Sequence, residues 1–181
     1  MANVHPEITP ALQAFIEAQP MFFVASAPNA TEGHINLSPK GLDSFRVLAK
    51  NRVVYADVTG SGNETAAHLA ENGRLTIMFC AFQGPPNILR LYGQGKIVKL
   101  DDPEALLITP LFYPLPGLRQ YVLLEVERVQ TSCGFGVPEM AFQNHRDTLL
   151  RWATAKGEAG LEAYRAEKNA HSIDGLPSSF A

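Results

Sequence analysis

Hydrophobic and polar positions along the chain predict six β-strands, each rich in aromatic or β-branched residues and bounded by turn formers. The segment 74–82 is apolar on both faces, so we expect it to be buried on both sides. In the last strand Val122 and Leu124 alternate with Glu125 and Glu127, which predicts one solvated face. Gly93 and Gly95 interrupt the longest strand and indicate a bulge or sharp coil. The predicted strands span residues 21–27, 34–38, 52–58, 74–82, 88–100 and 119–130.

Helical periodicity appears in shorter stretches around these strands. It predicts helices over 9–20, 64–71, 102–112, 146–156 and 158–169, with Asn63 capping the second and Gly157 separating the last two. The strands do not alternate regularly with crossover helices, which disfavours a doubly wound parallel sheet. The pattern favours a mainly β fold, a small antiparallel barrel with flanking helices. We expect one domain over residues 1–181, with a helical extension from about 139–181.

The composition of the chain argues against several classes of function. The 181 residues carry a net charge of −3, and no run of Lys and Arg supplies a nucleic-acid footprint. The chain shows no signal-peptide pattern and no apolar run long enough to span a membrane, so a cytoplasmic protein is expected. The histidines and cysteines lack metal-ligand spacing, which disfavours a zinc site. Cys133 has no evident histidine partner and is predicted to be a buried, inert thiol.

The most informative local pattern is a strand that runs into a Gly-rich turn and then into a helix start, over residues 55–65. Backbone N–H groups and the positive end of the helix dipole make such a place suited to a phosphate. Thr59, Ser61, Asn63 and Thr65 add hydroxyl and amide groups. The alternative interpretation is an ordinary capped turn, because neither the Rossmann nor the P-loop pattern is complete here.

A second candidate lies in residues 36–41, where Ser38 and Lys40 stand at the end of a predicted strand. A cation beside a hydroxyl at a strand end is a common phosphate clamp, although a solvated turn lysine is the simpler interpretation.

Taken together, three segments resemble the pyridoxamine 5'-phosphate oxidase-related flavoproteins, a likeness that spans nearly the whole chain. They are Ile-Asn-Leu-Ser-Pro-Lys-Gly at 35–41, Thr-Gly-Ser-Gly-Asn-Glu-Thr at 59–65 and Asn-Gly-Arg-Leu-Thr-Ile-Met-Phe at 72–79. The resemblance implies an FMN-binding split barrel of six antiparallel strands, and a homodimer with FMN at its interface. It also implies that Ser38, Lys40, Thr59, Ser61, Asn63 and Thr65 contact the flavin phosphate and ribityl chain.

Two departures from the family pattern bear on function. The family's oxidases have Ser-Arg-Lys where this chain has Ser61-Gly62-Asn63-Glu64, so Lys40 and neutral donors would carry more of the phosphate. The Arg/His-rich segment that grips the substrate phosphate in true oxidases is replaced by Ile-Asp-Gly-Leu-Pro at 173–177. The resemblance therefore favours a flavin-dependent oxidoreductase of unknown substrate over pyridoxamine phosphate oxidation.

Other functions stay open at the level of sequence. They are a flavin or haem carrier or sensor without turnover, a deazaflavin-dependent reductase, and a barrel that has lost its cofactor. No catalytic side chain is assigned, although Arg90 or Gln94, or Ser132 and Cys133, are candidates to approach the flavin ring.

Overall fold

The computed structural model describes residues 2–181, and Met1, the first position of the predicted domain, lies outside them. Within these described residues, eight strands form one sheet, flanked by four helices. The strands are β1 (Asn3–His5), β2 (Phe22–Ser26), β3 (Asn36–Lys40), β4 (Phe45–Ala49), β5 (Arg52–Val58), β6 (Arg74–Cys80), β7 (Ile88–Lys99) and β8 (Leu118–Ser132). The helices are α1 (Pro10–Glu17), α2 (Glu64–Asn72), α3 (Ala105–Ile108), which continues as a 3-10 turn over Thr109–Leu111, and α4 (Thr148–Lys168).

The sheet is antiparallel throughout and organised around its longest strand. Its order is β3-β2-β6-β7-β8-β5-β4, and β1 pairs with the far half of β8. This arrangement confirms the predicted split barrel with flanking helices, but it contains two strands more than the six expected. β1 is too short for a periodic pattern to reveal it. β4 is half-buried along most of its length and carries Arg46 in its interior, so it lacks a simple alternation.

Side chains that point inward from the strands fill the barrel. The main cluster contains Phe22, Tyr55, Ile77 and Leu124, all of them buried, together with Ile16 of α1. β6 alternates between buried and half-buried positions before its buried end. On β8, Glu125 and Glu127 face solvent as predicted, because the strand leaves the covered region of the sheet there.

The predicted irregularity in the long strand is confirmed at Gly93. The register between β7 and β8 shifts between Tyr92 and Gly93. A Cβ atom at position 93 would overlap the backbone carbonyl of Glu125, so only glycine fits this approach of the two strands.

The helices lie where the sequence predicted them, but the cap of α2 differs from the prediction. Gly157 breaks α4 with a φ of 64°, as expected. The predicted cap of α2 is wrong, because the Asn63 side chain makes no capping hydrogen bond and is turned into the protein.

The prediction that Cys133 is buried is also wrong. This residue is exposed because it lies just beyond β8 on an open loop. Among residues 2–181, no helix is both long enough and apolar enough to cross a membrane.

Candidate functional site

A polar cleft of about 560 Å³ lies where the end of β3 meets the turn between β5 and α2. Its third wall comes from the end of α4 and the residues that follow it. Five of the six predicted site residues line this cleft, namely Ser38, Lys40, Ser61, Asn63 and Thr65. The two local patterns found in the sequence therefore form one site.

Ser38 and Thr65 both line the cleft and are joined through Asn36. The Ser38 hydroxyl donates to Oδ1 of Asn36 at 3.2 Å, and Nδ2 of Asn36 donates to Oγ1 of Thr65 at 3.1 Å. β3 and the first turn of α2 are thus linked by side chains that line the cleft.

Lys40 reaches from β3 to a buried carboxylate on the neighbouring segment. Its Nζ lies 2.8 Å from Oδ1 of Asp57, while about a quarter (23%) of its side chain stays exposed toward the cleft. Nε of Arg119 holds the other oxygen of Asp57 at 2.8 Å. Nε2 of Gln120 donates to the same oxygen at 2.9 Å.

The cluster of Lys40, Asp57 and Arg119 determines the charge at the base of the cleft. Burial would raise the pKa of Asp57, but Lys40 and Arg119 outweigh burial and hold that pKa well below its ordinary value. The carboxylate is therefore ionised at neutral pH. Two cations face one anion, which leaves a net positive charge at the floor of the cleft.

Thr59 and Asn63 serve the scaffold of the turn. Thr59 is buried and does not line the cleft, because its hydroxyl donates to the carbonyl of Gly117 at 2.8 Å and accepts from Nε of Arg165 at 2.9 Å. Asn63 is buried as well, and its Oδ1 accepts from Gln120 at 2.9 Å. Their predicted contact with a flavin stays a prediction.

The Gly-rich turn is held from the other side by α4. Nδ2 of Asn169 donates to the carbonyl of Gly60 at 3.0 Å, and Nη1 of Arg119 donates both to the carbonyl of Gly62 at 3.0 Å and to Oδ1 of Asn169 at 2.8 Å. Arg165 adds its contact with Thr59. The carbonyls of Gly60 and Gly62 are thus bound by side chains of the surrounding scaffold.

Sequence reasoning missed the residues that build this support, namely Asp57, Arg119, Gln120, Arg165 and Asn169. One signal was present, because Asp57 is a lone carboxylate at the end of an apolar run, and such a group needs a buried partner. Lys168 and His171 were also missed, although both line the cleft and bring basic groups to it. Within the described chain, no group of three or more His, Cys, Asp or Glu residues is placed to hold a metal ion.

Comparison with known proteins places this fold in a family. The family model described as pyridoxamine 5'-phosphate oxidase matches residues 8–133. The pyridoxamine 5'-phosphate oxidase family protein ustO of Aspergillus flavus is 40% identical over 178 residues, an alignment that covers 88% of this chain and 70% of that protein. The chain belongs to the pyridoxamine 5'-phosphate oxidase family.

Solved structures share the split-barrel fold of this family at low identity. HupZ of Group A Streptococcus aligns with a TM-score of 0.53 and 21% identity, over 67% of this chain and 91% of that one. The FAD binding protein of Mycobacterium smegmatis aligns with a TM-score of 0.50 and 12% identity, over 71% of this chain and 97% of that one.

The part of this pyridoxamine 5'-phosphate oxidase family member that matches the family model ends at residue 133, just after β8. It contains the barrel side of the cleft, with Lys40 and Thr65. The opposite wall, with Lys168 and His171, lies beyond the matched residues. Most of the cleft is therefore built from the part of the chain that matches the family model, and a smaller share of its wall comes from the helical segment that follows.

Proposed function

We propose that this protein binds FMN through its phosphate in the polar cleft and acts as a flavin-dependent oxidoreductase. The observation that carries the proposal is the start of α2. The first N–H groups of a helix have no partner within the helix, and Asn63, the residue placed to cap them, points instead toward Gln120. The helix thus presents uncapped donors beside Lys40 and Ser61, which is the chemistry of a phosphate site.

The donor set fits the FMN phosphate. Lys40 and the N–H groups of α2 would hold it from the barrel side, and Lys168 and His171 would approach it from α4. Glu64 also lines the cleft, but its carboxylate accepts the backbone N–H of Ile173 at 3.0 and 3.3 Å. That contact draws the negative charge of Glu64 toward the segment after α4. The volume of about 560 Å³ lies within the ordinary range for ligand sites.

A bound flavin would supply the hydride and electron chemistry, and this chain would supply binding, orientation and charge. Family membership supports such a role, and one neighbour of the same fold is described as an FAD binding protein. We do not propose pyridoxamine phosphate as the substrate, because residues 173–177 lack the basic run that would grip a second phosphate. No catalytic side chain is assigned.

We also propose that the protein works as a homodimer. The outer face of β3 exposes Leu37, the neighbouring loop exposes Ile35, and α3 exposes Leu106 and Leu107. Exposed apolar surface of this kind is typical of protein interfaces. A molar mass measured by light scattering at the monomer value over the working concentration range would contradict this proposal.

The test of the flavin proposal is FMN binding by the purified protein, measured through flavin absorbance and fluorescence quenching. Lys40→Ala should weaken binding by roughly 1.5–3 kcal/mol, because a charge-assisted hydrogen bond to the phosphate is lost. Lys50→Ala is the matched control, since Lys50 is exposed, pairs with Glu7 and lies outside the cleft. Absence of FMN binding, or equal affinity in both variants, would contradict the proposed site.

Reduction of the bound flavin then separates an enzyme from a carrier. An oxidoreductase should show bleaching of the flavin absorbance near its visible maximum on addition of NADH, NADPH or another donor. A protein that binds FMN but resists reduction by every donor and oxidation by every acceptor is better described as a flavin carrier or sensor.

A further inference from the structure

A second cavity, of about 460 Å³, lies next to the polar cleft. Gly41 and Ser44, in the turn between β3 and β4, line both. We call this second space the aromatic cavity, after Phe22, Phe45, Phe79 and Phe142 in its wall. A molecule in the aromatic cavity would therefore sit beside whatever occupies the polar cleft.

Three aromatic rings form the inner wall of the aromatic cavity. The ring centroids of Phe22 and Phe45 are 5.0 Å apart, as are those of Phe45 and Phe79, and both pairs meet edge to face. The Phe22 and Phe79 centroids are 5.8 Å apart. Rings that already pack on one another hold their places without a ligand, so the wall is preformed. Such a wall suits a flat ligand that can add one more ring to the set.

The outer wall comes from the irregular segment between β8 and α4. The rings of Phe142 and His145 meet edge to face with centroids 5.0 Å apart. Nδ1 of His145 lies 3.6 Å from the position that a Cβ atom on Gly41 would occupy. About half (49%) of Phe142 is exposed, so its ring covers the cavity without being part of the core.

The charges around the aromatic cavity disfavour an anionic ligand. Arg46 is already held by Asp43, with Nη1 and Nη2 at 2.8 and 2.9 Å from the two carboxylate oxygens. Its Nε donates to the carbonyl of Leu111. With Arg46 and Asp43 paired, Glu17 leaves a negative charge on the same wall. Gln83 and His145 offer hydrogen-bonding groups instead.

We propose that the aromatic cavity binds the substrate, and that this substrate is a neutral, planar aromatic molecule with a nitrogen or oxygen atom able to hydrogen-bond. The assignment as substrate rests on the proposed function, because it takes the neighbouring cleft to hold the flavin. The assignment as a binding site for neutral aromatic molecules rests on the cavity alone.

The test uses indole as the neutral planar probe and benzoate as a charged probe of similar flatness, each titrated by NMR into the protein saturated with FMN. Indole should bind, and benzoate should bind about tenfold more weakly or not at all. Phe142→Ala should weaken indole binding by about two- to tenfold, the contribution of one aromatic pair. Phe135→Ala is the matched control, since Phe135 is an exposed phenylalanine on the same loop outside both cavities. FMN affinity should be the same in the two variants.

Three results would overturn the proposal. They are equal indole affinity in Phe142→Ala and Phe135→Ala, benzoate binding as tightly as indole, and indole binding to the protein without FMN but not to the protein saturated with FMN. The last would show that the flavin ring itself fills the cavity. If FMN does not bind at all, the proposed function fails, and the indole titration of the protein without FMN still decides whether the aromatic cavity is a binding site.

Discussion

At the scale of single residues, Asp57 is the most consequential side chain outside the predicted site. It is buried and joins Lys40 of β3, Arg119 of β8 and Gln120 through its two oxygens. A buried carboxylate with two cations stabilises the fold only as a set, because removal of one member leaves uncompensated charge behind.

Asp57→Asn should therefore lower the free energy of unfolding by about 3–5 kcal/mol, as expected when one partner of a buried ion pair is lost. Asp43→Asn removes a carboxylate from an exposed pair with Arg46 and should cost less than about 1 kcal/mol. Urea unfolding of both variants measures the difference. Similar losses in the two would mean that the buried cluster contributes no more than a surface pair.

Asp57 also shows what a sequence reveals about a site and what it does not. Lys40, Ser61 and Thr65 could be found because each belongs to a local pattern, a strand end or a helix start. Arg119, Arg165 and Asn169 could not, since they meet the turn only through contacts between residues far apart in the chain. No periodicity records such a contact, and the lone carboxylate indicated only that partners must exist.

At the scale of elements, the two glycines of β7 play different parts. Gly93 sits at the register shift, where the backbone of β8 leaves no room for a Cβ atom. Gly95 faces side chains instead, and a Cβ atom there would lie 2.9 Å from a methyl of Leu75 and 3.0 Å from one of Leu69.

Gly95→Ala should cost about 1–3 kcal/mol of unfolding free energy, because leucine side chains can shift to accept a methyl group. Gly93→Ala should cost more than that range or prevent folding, since the obstruction is backbone. Thermal unfolding of the two purified variants, with soluble yield as the second readout, compares them. A Gly93→Ala protein as stable as Gly95→Ala would show that the strands separate there at little cost.

The elements themselves were predictable to different degrees. β6 and β8 were found because long alternating or fully apolar runs of that length are typical of strands. β4 was missed because Arg46, its second residue, interrupts the apolar pattern. In the structure that side chain returns along the surface to Asp43 and stacks 4.8 Å from the ring of Phe112.

At the scale of the whole molecule, the segment after α4 is fastened to the loop between β2 and β3. Asp174 accepts from the backbone N–H of His34 at 2.8 Å, and its other oxygen lies 2.6 Å from Nδ1 of the His34 ring. The hydrogen bond with Asp174 raises the pKa of His34 above 6.5, and the same bond lowers the pKa of Asp174 below 3.8. Because His171, Ser172 and Ile173 line the polar cleft, this contact also secures one of the cleft walls.

The two pKa shifts define the pH range in which the contact between His34 and Asp174 stabilises the folded state. The raised pKa of His34 stabilises the folded state at pH below 6.5, and this contribution is lost as the pH rises through that raised value. The lowered pKa of Asp174 stabilises the folded state above 3.8, and this contribution is lost as the pH falls. The contact should therefore be strongest between these values and weaken in alkaline solution.

Hydrogen exchange of residues 171–176 should accordingly be faster at alkaline pH than at pH 6, after correction for the intrinsic pH dependence of exchange. Asp174→Asn should remove this difference, because the carboxylate that pairs with the imidazolium is gone. Glu167→Gln, at an exposed pair on α4, is the control and should keep it. Protection that stays constant with pH in the unmodified protein would contradict a role for the pair.

The polar cleft depends on residues of α4 and just after it, and these are synthesised after the barrel. Arg165 and Asn169 follow all eight described strands in the chain, so a ribosome delivers the barrel before the residues that bind the Thr59 hydroxyl and the Gly60 carbonyl of its Gly-rich turn. The nascent barrel would hold Asp57 and Arg119 in place while Asn169, the acceptor of Nη1 of Arg119, is still missing. Contacts this distant in sequence form slowly. The polar cleft would thus be among the last parts of the molecule to become ordered, and competence to bind cofactor would lag behind the folding of the sheet.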